Sequence, residues 1–167
     1  GNRGYRYPVV WPPQGTASLN APPPPSPPPV PPVPPRIILA SASRARADIL
    51  AGAGIDFHGE ASGVDEDAIK LRLSGESAAT ADIAWTLAEA KAVAVSERHA
   101  GALVIGADQI LECDGVCFDK PPDMARAAEH LRLLRGRVHH LICAVCVVRD
   151  GQPLWAHVEN PRLVMRQ

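Results

Sequence analysis

Residues Arg36–Leu50 read RIILASASRARADIL. Arg36–Ala40 is a short apolar run that predicts a buried strand. Ser41-Ala42-Ser43 then makes a small polar turn, and Arg44–Ala53 has helical spacing with Ile49 and Leu50 on one face. Ser43 is a good N-cap, because a hydroxyl there accepts from the backbone N–H groups that lack a partner in the first turn. Gly52 and Gly54 are stop signals. The chain therefore opens strand, serine turn, helix, as α/β proteins do. The N-terminal end of such a helix offers free N–H groups and the positive end of its dipole, which suits phosphate. Arg44 and Arg46 add fixed positive charge there.

Downstream, Ile55–Glu60 predicts a second strand. Val64-Asp65-Glu66-Asp67 lies at a strand-to-helix boundary. Two readings of it stand side by side: acidic charge that favours a helix N-terminus, or carboxylates that share a magnesium with substrate phosphates. Ser77–His99 predicts a long amphipathic helix with Ile83, Leu87, Ala90 and Ala94 as its stripe, and spacing alone puts Lys91 on a solvated face. Leu103–Leu111, LVIGADQIL, has strong β character broken by Gly106-Ala107-Asp108-Gln109. An aspartate in an apolar strand is costly unless paired or used, and a break built of small residues is where backbone comes close to a ligand.

Asp114-Gly115 predicts a hairpin turn returning to Val116–Phe118. Pro121 forces Lys120 into an extended conformation and gives its ammonium a defined exit from the loop. Asp123–Arg135 predicts a helix capped by Asp123 and ended at Gly136, with Met124, Ala127, Ala128, Leu131 and Leu134 inward. Val138–Val148 predicts a strand, Asp150-Gly151 a turn, and Leu154–Met165 a partner strand. His139 and His140 point to opposite faces of the first of these. One of them is either functional or a structural hydrogen-bonding group.

The composition divides the chain. Residues 1–35 hold fourteen of the eighteen prolines, two arginines and no acidic residue. Ala21–Pro35 favours polyproline II, read either as a stiff spacer or as a ligand for an SH3- or WW-type module. Residues 36–167 read as one globular domain. The whole chain has a formal net charge of −1, which argues against a general nucleic-acid binder but not against a small site for a phosphorylated ligand. No apolar run reaches the length of a membrane span, and the charged-then-apolar order of a signal peptide is missing. Cys113, Cys117, Cys143 and Cys146 read as reduced thiols of a cytoplasmic protein. Cys143 and Cys146 stand three apart on a strand and so face opposite ways, which is poor geometry for zinc.

Six short motifs then occur in one order. Leu39-Ala40-Ser41-Ala42-Ser43 with Arg46 resembles the opening LASxSxxR motif of the Maf family of nucleoside triphosphate pyrophosphatases. Val64-Asp65-Glu66 resembles its acidic motif, and Leu87-Ala88-Glu89-Ala90-Lys91-Ala92 its helix motif LAxxKA. Gly106-Ala107-Asp108-Gln109 resembles its GADQ/GADT motif, Lys120-Pro121 its KP motif, and Leu131–His139 its LxxLxGRxH motif. Each is weak alone, but six in order across Arg36–Arg166 are specific.

The resemblance implies a mixed, twisted β-sheet flanked by helices, and hydrolysis of a nucleoside triphosphate to the monophosphate and pyrophosphate. It implies a divalent cation, magnesium or manganese, and substrates among noncanonical, modified or pyrimidine nucleotides. Homodimers are common in the family. By its motifs Asp108 is the general base and, with Glu66, a metal ligand. Arg46, Lys91 and Lys120 clamp the triphosphate, while Ser41 and the helix start after Ser43 donate hydrogen bonds to it. Ala45 and Gln109 occupy the positions at which base preference differs between branches. Gln109 is similar to the branch acting on a 7-methylated guanine nucleotide, whereas Ala45 stands where that branch carries a bulky aromatic, so the base stays unassigned. Family members continue past the equivalent of Arg166 with a helix and a glycine-rich segment that packs on the sheet. The expectation is thus a C-terminally truncated member, less stable than a full-length relative. A non-catalytic nucleotide-binding remnant is the main alternative, and an interaction protein led by the proline-rich segment is the other.

Overall fold

The computed structural model describes residues 34–166. The polyproline reading of Ala21–Pro35 falls outside those residues, apart from Pro34 and Pro35. In chain order the elements are β1 (Ile37–Leu39), α1 (Arg44–Gly52), β2 (His58–Gly59), α2 (Glu66–Gly75), α3 (Thr80–Ser96), β3 (Leu103–Cys113), β4 (Val116–Phe118), α4 (Met124–Leu134), β5 (Val138–Arg149), β6 (Gln152–Glu159) and β7 (Arg162–Val164). None of the described helices is long and apolar enough to cross a membrane.

Local chemistry sets the boundaries. The side chains of Ser43, Asp65 and Asp123 accept from the N–H groups of Arg46, Ala68 and Arg126, capping α1, α2 and α4. Asp114-Gly115 and Asp150-Gly151 both have two successive positive φ angles, 52° and 77° in the first pair and 49° and 74° in the second. That is the backbone of a tight hairpin whose twist matches its strands.

The sheet is mixed, with strand order β2-β1-β3-β5-β6, β4 on β3 and β7 on β5. β1 runs parallel to β2 and β3, whereas β3 and β5 pair antiparallel along most of their length. The α/β expectation therefore holds, with four corrections. The second strand shrinks to His58–Gly59. β3 is continuous through Gly106–Gln109 rather than broken there. The predicted strand Leu154–Met165 keeps one register against β5 from Trp155 to Val164 but is interrupted at Asn160-Pro161, where proline has no N–H to donate. Finally, α4 turns little of its apolar surface inward. Leu134 is buried and His130 meets the Phe118 ring edge-on, but Met124 and Leu131 are exposed.

The core lies on one face of the sheet. Val104, Gly106, Asp108 and Ile110 of β3, with Ile142, Ala144, Cys146 and Val148 of β5, are buried there, against Ala84, Leu87, Ala88, Ala92 and Val95 of α3. Strand alternation dictates this set. The helix is turned from its predicted stripe: Ala90 and Ala94 sit at the flank, and Lys91 is buried. Gly106 explains how close the layers come. A Cβ at this position would lie 2.1 Å from the Ala88 carbonyl oxygen and 2.7 Å from the Ala92 Cβ. The glycine thus serves helix–sheet contact rather than ligand approach.

The opposite face is thinly covered. α1 buries none of its residues, and Ile49 and Leu50 line an apolar cleft of about 270 Å³ with Leu39, Ile105 and Cys143. Cys143 and Cys146 do face opposite ways, and burial pushes the Cys146 thiol up to about 11. All four cysteines are free.

The end of α3 is tied to the segment after β2. Glu60 receives Arg98 Nε at 2.8 Å and pairs with His99 Nε2 at 2.6 Å, while Arg98 also donates to the Ala61 carbonyl. The His99 hydrogen bond first, then that of Arg98, holds the Glu60 carboxyl below its ordinary 4.5.

Two outcomes follow. Gly106→Ala forces α3 off the sheet and is expected to cost roughly 3 kcal/mol in a urea melt. Glu60→Gln is expected to lower the melting temperature at about pH 7. A depressed folded pKa means the carboxylate's stabilisation is present above 4.5 and is lost as pH falls through the folded value. The gap between wild type and variant should therefore close by about pH 3, read by thermal melts across that range.

Candidate active site

β1 ends at Leu39, paired with Ile105, and β4 begins its pairing at Leu111. Both use the same edge of β3, so among the described residues that edge carries no neighbouring strand from Gly106 to Ile110. A cleft of about 490 Å³ opens at this gap. Its floor is Asp108 and Ile110. One wall is the Ser41–Ser43 turn with Arg46, a second is Ser62–Val64 with the start of α2, and the far lip is Phe118–Lys120.

Lys91 lies at the heart of the site. Its ammonium is 2.7 Å from Asp108 Oδ1 and 2.9 Å from Glu66 Oε2, and its side chain is 6% exposed. The prediction of a solvated Lys91 from spacing is thus overturned: the side chain is buried and lines the cleft. A buried ammonium would be prohibitive alone, but two carboxylates offset its desolvation. Asp108 is as buried as Lys91, at 9%, whereas Glu66 is 43% exposed.

The acidic cluster divides its roles. Asp65 caps α2, and Asp67 is exposed outside the cleft lining. Only Glu66 turns inward, so the cluster gives one cleft carboxylate rather than three. At the α1 wall, Arg46 Nη1 donates to Ser41 Oγ at 3.1 Å, and the Ser43 N–H donates to the same oxygen at 3.1 Å. The serine turn and the guanidinium are therefore fixed as a unit beside the positive end of α1.

Ser41, Ser43, Arg46, Glu66, Lys91, Asp108, Gln109 and Lys120 all line this cleft. Ala45 does not: it is exposed on α1, outside the lining. His139 is buried with its Nδ1 unpartnered among the described residues, and His140 Nδ1 sits 3.0 Å from Asn160 Oδ1. Neither enters the cleft. Lys70, Ser62 and Asp119 were not singled out from the sequence, yet all three line it. For Lys70 the signal was available, since it follows Glu66 by four residues on α2 and so shares its face.

The donor set has a clear chemical character. Among the described residues, no group of three or more histidine, cysteine or acidic side chains stands ready to hold a metal. Zinc, which takes four protein ligands in a structural site or three in a catalytic one, does not fit. Magnesium, commonly held by one or two carboxylates plus phosphate and water, does fit Glu66 and Asp108.

Residues 36–167 match the model of the family described as Maf-like protein. The chain is 51% identical over 129 residues to a nucleoside triphosphate pyrophosphatase of Paramagnetospirillum magneticum, covering 77% of this chain and 66% of that protein. It is 46% identical over 132 residues to one of Granulibacter bethesdensis, covering 79% and 67%. It is 43% identical over 130 residues to a 7-methyl-GTP pyrophosphatase of Rhizobium meliloti, covering 78% and 65%. The chain thus spans about two-thirds of the length of these relatives. With five of its six motifs contributing to one cleft and the match running through residues 36–167, this chain belongs to the Maf-like protein family.

Proposed function

We propose that the chain is a nucleoside triphosphate pyrophosphatase that acts on noncanonical, modified or pyrimidine nucleotides. The observation that carries this reading is the Asp108–Lys91–Glu66 cluster at the foot of a cleft whose walls present Arg46 and Lys120. The names of the relatives support the class of reaction and include one methylated guanine substrate.

The chemistry follows from the placement. Lys91 fixes Asp108 Oδ1, which leaves the second carboxylate oxygen to orient a water molecule and take its proton. As the new oxygen–phosphorus bond forms at the α phosphorus, the bond to the bridging oxygen breaks, and pyrophosphate leaves. Arg46, the Ser41 hydroxyl and Lys120 hold the phosphate chain in line and neutralise charge that builds on its oxygens. Glu66 and Asp108 are the residues that would hold a divalent magnesium or manganese ion. Such an ion supplies further neutralisation of the phosphate oxygens. Gln109, on the cleft lining, faces the base. Cytoplasmic residence with reduced thiols, and a homodimer, belong to the same reading.

The test is pyrophosphate release from a panel of nucleoside triphosphates, including 7-methylated guanine, other modified bases and pyrimidines, with magnesium or manganese. Release with one base preferred is expected. Asp108→Asn should cut it by roughly 10²–10⁴-fold while the variant still melts cooperatively. Nucleotide binding without any release would overturn the catalytic reading and leave a nucleotide-binding protein.

A further inference from the structure

Among the described residues that line the cleft, Lys70 is the basic side chain that neither the motifs nor the proposed chemistry uses. It stands on α2 one turn beyond Glu66 and lines the same cleft. Its ammonium lies 2.7 Å from Asp119 Oδ1, across the mouth of the cleft, with the lysine side chain 33% and the aspartate side chain 78% exposed. Partial burial works against its charge, yet Asp119, Asp108 and Glu66 together hold its pKa above the ordinary value. The ammonium therefore shares one cleft with both cluster carboxylates as well as with its partner.

The charge balance shows what such a group is for. The cleft lining holds four basic side chains and three acidic ones. Lys91 is already engaged by two of the carboxylates, so it has little charge left to offer a polyanion. Arg46 and Lys120 remain, and a triphosphate carries several negative charges. Lys70 is the remaining basic side chain of the lining. Its partner is mostly in water, and an ion pair that exposed holds weakly and exchanges at little cost.

We infer that Lys70 is a substrate-binding cation that leaves Asp119 for the phosphate chain of the nucleotide, with Asp119 serving as its placeholder before substrate binds. The inference rests on the triphosphate reading given above. The competing role is mechanical: Lys70 would pin Asp119, and with it the loop that presents Lys120, as a strut across the mouth.

Two measurements separate the roles: calorimetric binding of inorganic tripolyphosphate, and the KM and kcat of pyrophosphate release from the preferred nucleotide. Lys70→Gln is expected to weaken tripolyphosphate binding about tenfold. It should raise KM by a similar factor, with kcat changed less than about threefold. Lys70→Arg should recover most of the loss. Asp119→Asn should tighten binding, because a competitor is removed, and the exchanged pair Lys70→Asp with Asp119→Lys should stay weak.

Two results overturn the inference. One is unchanged binding in Lys70→Gln. The other is equal loss in Asp119→Asn with recovery in the exchanged pair, which is the signature of a strut. Thermal melts of each variant identify any that fail to fold, and Lys70→Arg, the mildest change, then carries the comparison. If wild type binds tripolyphosphate in a Lys70-dependent way but releases no pyrophosphate, the enzymatic reading falls and Lys70 stands. If wild type binds no tripolyphosphate, both fall.

Discussion

The contact of α3 with β3 at Gly106 is the constraint on which the rest depends. The carbonyl of Ala88 and the methyl group of Ala92 occupy the space a side chain at 106 would need. The helix face here is built of Ala84, Ala88 and Ala92, all fully buried, and small residues on both partners bring the layers close. Lys91 precedes Ala92 by one residue, and Asp108 follows Gly106 by two. A close approach at one point therefore fixes the 2.7 Å ion pair beside it. Packing and chemistry share one piece of backbone, so a fault in the first displaces the second.

The second condition is a gap in the sheet. β3 is longer than either strand on its outer edge, and β1 and β4 leave its middle unpaired on that side. An unpaired stretch of central strand is ordinarily a liability. Here the serine turn, α2 and the Phe118–Lys120 lip surround it, and the stretch becomes the floor of a polar cleft. Asp108 is buried from the core side by α3 and reachable from the gap, which is what a group that must hold a fixed position and still meet water requires. Glu66 reaches the same ammonium from a solvated position, so the cluster is anchored on one side and open on the other.

What was legible in the sequence was the chemistry that acts over a few residues. Ser43, Asp65 and Asp123 announce helix starts, and Asp114-Gly115 and Asp150-Gly151 announce hairpins, because a cap or a positive φ is decided locally. The motif resemblance located most of the cleft lining, since it encodes three-dimensional placement that spacing does not carry. Lys91 shows the limit. On a helix with alanine and leucine on every side, no periodicity tells a buried lysine from a solvated one until the two carboxylates, from α2 and β3, are known to converge. Gly106 was misread for a related reason, because its neighbour across the contact is eighteen residues back in the chain, at Ala88. The predicted inward face of α4 failed because an apolar stripe requires a surface to pack on, and of α4 Leu134 alone is buried while Met124 and Leu131 stay exposed.

The pleat of β3 has a final consequence for the division of labour in the cleft. Successive residues of a strand face opposite ways, so Asp108 turns to the closed side under α3, while Gln109 turns to the side where Leu39, Ile49 and Cys143 leave an apolar cleft. Inside a fully paired sheet these two side chains would belong to separate compartments. Because the edge of β3 is free here, both reach the same polar cleft, and both also border the apolar one. A charged side chain and the neutral one beside it thus border one cleft from two faces of a single strand, an arrangement that the free edge of β3 among the described residues makes available.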